Sequence, residues 1–255
     1  FFSHIVWLWI NTCPIERLDV MNSIFSLWTP PAIPIINSGD TFPVRRIYTI
    51  GRNYADHAAE TGLGGVHGIE PGISLKPTDS VLLNGSVLDY PFATKHLDPE
   101  VEMVVAIGRD GENISPESAL EYVFGYGVGF DLIRRDIMHD CIKREHSWDL
   151  CKSFRGASPV SGLTRAADIG HPQSGKISMS VNGEIRQQGD ISQLIWKTAD
   201  IVSRLSAFDQ IRAGDIVFTG TPRGPKPVVW EGSRGSLLRC LGRLWVPKTV
   251  VLEGA

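Results

Sequence analysis

An excess of positive charge is absent: 25 Lys and Arg stand against 28 Asp and Glu, for a formal net charge of −3. No overall basic field therefore exists to hold a nucleic-acid backbone or an anionic membrane, and a small-molecule partner is the default. Cysteine is sparse. Cys13, Cys141, Cys151 and Cys240 form no Cys-x-x-Cys pair and no dense framework, which speaks against zinc-finger chemistry and a disulfide scaffold. Reduced thiols point to a cytoplasmic protein, with a mitochondrial one as the secondary alternative. No internal repeat, low-complexity tract or long linker divides the chain. No apolar run reaches the length of a bilayer span: FFSHIVWLWI, residues 1–10, is too short and lacks the flanks of a signal peptide. Residues 1–20 read as translated upstream sequence or a fragment edge, with ordinary sequence opening at Met21.

What is present is enough for a core: 255 residues, 42% of them apolar. Residues 1–43 read as an N-terminal extension and arm, the proline-rich stretch WTPPAIPIINSGDTFP lying extended on a domain surface. Residues 44–255 read as one domain. There RRIYTIG predicts a strand and NYADHAAETG a short helix, with Asn53 as its N-cap and Gly62 as its stop. The glycine-rich GLGGVHG that follows suits a movable lid or, equally, an ordinary surface connection. VEMVVAIG and YVFGYGVGFD predict strands, and SPESALEYV between them a short helix opened by Ser115 and Pro116. ISMSVNGEIRQ alternates around Asn182-Gly183, a strong hairpin signal. In QLIWKTADIVSRLSAF, Leu194, Ile195, Thr198, Ile201, Val202 and Leu205 recur at helical spacing, which predicts one amphipathic helix packed on the sheet. The class is α+β, rich in strands, with few short helices.

The chemistry concentrates in two of these strands. Glu100, Glu102, Val104 and Ala106 share one face of the first, opposite Val101, Met103, Val105 and Ile107. Two carboxylates side by side need solvent, a proton or a cation, and a hard divalent ion such as Mg²⁺ or Mn²⁺ suits oxygen ligands. In the second strand Gly125, Gly127 and Gly129 strip one face bare and Asp131 ends it. Glycines so placed mean that something approaches the backbone closely, either a ligand or tightly packed protein. Asp131 is the candidate third ligand. His57 and Glu60, three apart on a helix, share a face and can couple as base and carboxylate, although such pairs are common on surfaces. Arg52, Lys76, Arg134, Arg135 and Lys152 are the candidate cations, each ordinarily a solvated charge. Arg135 follows Asp131 by one helical turn, so its guanidinium can reach the same side and grip a carboxylate.

Through GRNYADHAAE, LKPTDS, PEVEMVVAIG, GYGVGFDLIRRD, WDLCKSF, VNGEIRQ and GDIVFTGTP, in that order, the chain resembles the fumarylacetoacetate hydrolase family, and within it the fumarylpyruvate and other acylpyruvate hydrolases. The resemblance spans about Phe42 to Pro222. It implies a fold built around a rolled mixed β-sheet, a homodimer, and one Mg²⁺ or Mn²⁺ per chain on Glu100, Glu102 and Asp131. It also implies His57, Glu60 and Lys152 as catalytic residues and Arg52, Arg135, Gln187 and Thr221 as substrate contacts. The activity implied is hydrolysis of a carbon–carbon bond in an acylpyruvate, fumarylpyruvate first, in the breakdown of aromatic compounds. Oxaloacetate decarboxylation or hydroxymuconate-type isomerisation is the alternative within the family, and a non-catalytic 2-oxo-acid-binding relative is a third reading. The chain departs from the family pattern at Arg155, where an acidic residue is usual, and at Arg223-Gly224-Pro225-Lys226, where a Gly-Val-Gly turn is usual.

Overall fold

The computed structural model describes residues 23–60, 71–181, 183–224, 228–229 and 240–245. In chain order they form β1 (Ala32–Pro34), β2 (Thr41–Pro43), β3 (Ile47–Gly51), helix α1 (Ala55–Glu60), β4 (Gly72–Lys76), β5 (Val81–Leu83), β6 (His96–Ile107) and β7 (Val123–Arg134). Helices α2 (Arg135–Lys143) and α3 (Asp149–Lys152) follow, then β8 (Ser158–Val160), β9 (Thr164–Arg165), α4 (Ala166–Ile169), β10 (Lys176–Val181) and β11 (Glu184–Asp190). Helix α5 (Thr198–Phe208), β12 (Ile216–Phe218), β13 (Val228–Val229) and β14 (Cys240–Trp245) complete them. The expected strand-rich class with few short helices is observed. No helix among the described residues is long and apolar enough to cross a membrane.

Among the described residues the principal sheet has nine strands in the order β4-β3-β12-β6-β7-β8-β5, with β13 also on β6 and β9 also on β7. It is mixed, β3–β12 and β5–β8 being parallel and the other pairs antiparallel, and it curls into a half-barrel. β6 and β7, of 12 residues each, form its spine. The spine is buried on both faces. Val101, Met103, Val105 and Ile107 join Tyr126, Val128 and Phe130 in the larger core, which α5 covers with Ile201, Val202 and Leu205. Val104 and Ala106, on the other face, join Phe218, Val160 and Leu163 in a second core. Glu100 and Glu102 continue that same face, so the polar centre begins where the second core stops.

Four expectations need correction. The segment before Val44 is not merely a surface arm: β1 and β2 pair as a hairpin that sends Ile33, Ile35 and Phe42 into the second core. Asn53 is not an N-cap. Its side chain donates to the carbonyls of Trp196 (3.0 Å) and Thr219 (2.8 Å) and accepts from the Trp196 N–H at 2.7 Å, tying the α1 entrance to two distant segments. The helix expected from Ser192 starts at Thr198, because Asp190 caps a separate 3₁₀ turn, Ile191–Gln193. Asn53 also takes the Ile195 and Trp196 N–H groups that a longer helix would have used, and Ile195 is left 48% exposed. After Pro116 the chain makes a 3₁₀ turn, Ala119–Tyr122, rather than an α-helix. The hairpin at residues 182–183 is present, with Val181 paired to Glu184 and Gly183 at φ +85°, although Asn182 lies outside the described residues.

Candidate metal centre

The glycine face of β7 is covered by protein. A Cβ on Gly125 would stand 2.3 Å from the Thr164 carbonyl oxygen, one on Gly127 3.1 Å from Leu163, and one on Gly129 2.6 Å from Phe218. Of the two readings of that stripe, close packing is the one observed, and it lets β9 and the Phe218 ring settle directly onto the strand. The carboxylates lie beyond them.

Glu100 is directly opposite Asp131 in the β6–β7 ladder, and Glu102 is opposite Gly129. Opposed residues of an antiparallel pair present side chains on one face. One oxygen from each of Glu100, Glu102 and Asp131 lies within 4.8 Å of the others, and all three residues are buried. Little water remains to dilute their repulsion, so the cluster requires positive charge.

The chain supplies some of it from three elements. Lys76, ending β4, places Nζ 2.5 Å from Asp131 Oδ1. Lys152, ending α3, places Nζ 2.7 Å from Asp131 Oδ2 and 3.4 Å from Thr49 Oγ1. Arg135, opening α2, reaches Asp98 through Nε (2.6 Å) and Glu100 through Nη2 (2.5 Å). Burial pushes Asp131 towards the neutral acid, but the ammonium groups of Lys152 and Lys76 prevail and hold it at about 2. Burial also drives Lys76 below the ordinary lysine range, whereas Asp131 and Glu100 lift Lys152 above it against the same burial.

Glu102 differs. Among the described residues its carboxylate accepts from the Gly220 N–H at 2.7 Å and from no cation. Burial first, and then the charges of Asp131 and Glu100, raise its carboxyl well above the usual range. A buried, oxygen-only set with one member starved of positive charge fits a hard divalent cation.

The other expected site residues are placed as follows. His57, on α1, is buried with Nε2 3.8 Å from Glu100 Oε1, so it belongs to the cluster. The Glu60 side chain and the glycine-rich stretch 62–68 lie outside the described residues. Gln187 and Thr221 rivet β11 and the segment after β12 to the backbone between the two glutamates. Gln187 Oε1 accepts from the Val101 N–H (2.9 Å), Nε2 donates to Thr221 Oγ1 (2.6 Å) and the Pro222 carbonyl (2.7 Å), and the Thr221 hydroxyl donates to the Val101 carbonyl (2.9 Å). Arg52, in the turn after β3 with φ +61°, lies beside Gly72 and has no hydrogen bond to the three carboxylates among the described residues. Arg134 turns away to stack on Phe154, 4.4 Å from the ring centroid.

Lys76 is the residue that sequence pattern undervalues. In GISLK the exposed positions are Ile73 and Leu75 and the buried one is the lysine, the reverse of ordinary strand polarity. The signal available was its place ending a strand face with no apolar residue, just before Pro77.

A cavity lies against the opposite face of β7, at Val128, Phe130 and Leu132, and its lining contains no titratable side chain. It offers no comparable chemistry.

Comparison with known proteins agrees with this architecture. The profile of the family described as "Fumarylacetoacetate (FAA) hydrolase C-terminal" matches residues 46–240. The crystal structure of fumarylpyruvate hydrolase from Pseudomonas aeruginosa in complex with Mn²⁺ and pyruvate is similar at 42% identity and a TM-score of 0.80, covering 88% of this chain and 94% of that one. Human mitochondrial oxaloacetate tautomerase FAHD1 is 36% identical over 184 residues, 72% of this chain and 82% of the relative. Oxaloacetate tautomerase YcgM of Escherichia coli K12 is 35% identical over 188 residues, 73% and 85% respectively. The chain belongs to the fumarylacetoacetate hydrolase family.

Proposed function

We propose that this chain hydrolyses a carbon–carbon bond in an acylpyruvate, and that fumarylpyruvate, giving fumarate and pyruvate, is the substrate. The observation that carries this is the buried Glu100–Glu102–Asp131 cluster in a chain so similar to a fumarylpyruvate hydrolase crystallised with Mn²⁺ and pyruvate. A divalent cation, Mg²⁺ or Mn²⁺, held by those three carboxylates would supply a Lewis acid for the substrate carboxylate and adjacent 2-oxo oxygen.

The chain's own groups do the rest. His57, with Glu60 as its carboxylate partner, takes a proton from water, and the water oxygen adds to the acyl carbonyl carbon. The bond from that carbon to the methylene then breaks. Its electron pair passes into the enolate of pyruvate, which takes up a proton at carbon, and the acyl group leaves as a carboxylic acid. Lys152, buried beside Asp131, provides a fixed positive charge for the developing enolate. Arg135 holds Glu100 in place through its second contact with Asp98, Gln187 and Thr221 fix the wall of the site, and Arg52 contacts the substrate. The molecule works as a homodimer.

A second reading is favoured by the relatives named as oxaloacetate tautomerases: the same site would interconvert or decarboxylate oxaloacetate. Incubation of the Mn²⁺-loaded protein with fumarylpyruvate, acetylpyruvate and oxaloacetate, followed by NMR of the products, separates the two. Fumarate and pyruvate formed faster than any change in oxaloacetate is the expected result; the reverse order would replace the hydrolase reading with the second.

A further inference from the structure

The Arg135 head is shared between two carboxylates of β6. Nε and Nη2 form one edge of the planar guanidinium; Nε donates to Asp98 Oδ2 at 2.6 Å and Nη2 to Glu100 Oε1 at 2.5 Å. Asp98 and Glu100 stand two residues apart on one strand face, so a single arginine spans both. Glu100 belongs to the candidate metal cluster. Asp98 does not, and it reaches the reaction described above only through that arginine.

The backbone beneath Arg135 is fixed separately. Asp136, next to it on α2, accepts from the Thr94 hydroxyl (2.5 Å) and the Lys95 N–H (2.8 Å), and Leu97 is paired with Arg134 in the β6–β7 ladder. These contacts tie the first turn of α2 to the start of β6. A long, flexible stem still separates that backbone from the guanidinium, and a partner must offset the entropy lost in ordering it. Among the described residues Nη1 meets only the Met138 sulfur, at 3.2 Å, a weak acceptor. Asp98 is therefore the one strong acceptor outside the metal cluster that holds this head, again among the described residues. It is buried, and its other oxygen, with no hydrogen-bond partner there, lies 3.2 Å from His96 Nε2.

We propose that Asp98 is a positioning residue: it pins the guanidinium so that the Nη2 donor stays beside Glu100 and can pass to the carboxylate of a bound 2-oxo acid without the head swinging away. Glu100 has to serve both Arg135 and a cation. A second positive charge on that carboxylate weakens its hold on Nη2, while the Nε bond to Asp98, one rung further along the same face, is untouched. One arginine can then brace Glu100 and grip substrate in turn. Without Asp98 the head would follow whichever carboxylate attracts it, and the donor would lose its fixed place. The proposal rests on the acylpyruvate reading for the identity of the carboxylate gripped; the pin itself would serve any 2-oxo acid.

The test is a double-mutant cycle of Asp98→Ala with Arg135→Gln in the Mn²⁺-loaded protein. Asp98→Asn, nearly the same shape and still an acceptor, guards against misfolding, and Asp140→Asn, which breaks the exposed pair with Arg144 on the same helix, is the control. Asp98→Ala should raise the KM for fumarylpyruvate about tenfold, the loss typical of one charge-assisted contact, with a smaller change in kcat. Asp98→Asn should recover part of it. In the Arg135→Gln background Asp98→Ala should add little, because the group it acts through is gone. Nitrogen-15 NMR of the metal-free protein gives a readout without turnover: the Arg135 Nε–H should exchange slowly with water, and Asp98→Ala should release it. If Asp98→Ala raises KM equally with and without Arg135, or lowers only the melting temperature, the positioning role is overturned. If fumarylpyruvate is not cleaved, yet calorimetric binding of pyruvate weakens on Asp98→Ala only when Arg135 is present, the positioning role stands and the hydrolase reading falls.

Discussion

Lys76 Nζ meets Asp131 Oδ1 at 2.5 Å with none of the lysine side chain exposed. The same ammonium donates to the carbonyls of Leu132 (3.2 Å) and Ala157 (2.6 Å), so one charge satisfies a carboxylate and the backbone of two segments. Lys76→Met removes all three donors at once. Breaking a buried pair by deleting one partner costs about 3–5 kcal/mol, and urea denaturation of the metal-free protein should register a loss of that size. An unchanged midpoint would mean that the pair contributes nothing to stability.

The pH dependence of the metal-free protein should carry the signature of Glu102. Its folded-state pKa lies above the ordinary 4.5, so the stability it contributes is present below that value and lost as pH rises through the raised one. Asp131 acts in the opposite sense and in a different window. Held at about 2 against an ordinary 3.8, it contributes stability above 3.8 that disappears as pH falls towards 2. From pH 5 upwards only Glu102 of these two therefore gives a slope, and it is downward. Saturating Mn²⁺ should flatten it by compensating the third negative charge. Scanning calorimetry from pH 5 to 8, with chelator and with Mn²⁺, checks this; parallel curves would count against a cation at these carboxylates.

Asn53 joins the α1 entrance to Trp196 and Thr219 through three hydrogen bonds and is fully buried. Asn53→Ala would leave the Trp196 N–H and two carbonyls without these partners in a dry environment, at about 1–3 kcal/mol for each unsatisfied group. Hydrogen exchange should show Ile195 and Trp196 losing protection before the β6–β7 spine. Uniform loss would point to global weakening instead.

The glycine stripe makes a sharper claim. Gly125→Ala would force its Cβ to within 2.3 Å of the Thr164 carbonyl oxygen, which β9 can relieve only by moving off the sheet. Overpacking of this kind costs about 1–3 kcal/mol, occasionally more. Gly39→Ala, where a Cβ would meet nothing within 4 Å, is the control, and thermal melting of the two variants should differ by several degrees.

The triad of Glu100, Glu102 and Asp131 was legible because strand periodicity fixes which side chains share a face, and the two strands proved to be ladder partners. Lys76 was obscured because burial in β4 runs against hydrophobicity, the lysine being inside and Leu75 54% exposed. The late start of α5 at Thr198 was hidden by a long-range competitor: Asn53, 143 residues away, claims the Trp196 N–H that local periodicity assigns to a helix. The glycines announced close approach without naming its agent, and only the path of β9 identifies it as protein. Ile33 and Phe42 sit among prolines that suggest an exposed arm, yet a two-stranded hairpin with one apolar face needs a surface to cover, and the second core provides it.

The register of β6 against β7 has a kinetic corollary. Side chains alternate along a strand, so a slip by a single position would turn Glu100 and Glu102 into the apolar layer now occupied by Val101 and Met103 and take Asp131 out of reach. The carboxylate cluster and a correctly zipped spine therefore form in one event, and on the metal-binding reading proposed above, Mn²⁺ paramagnetic resonance followed during refolding would act as a stopwatch for closure of this sheet.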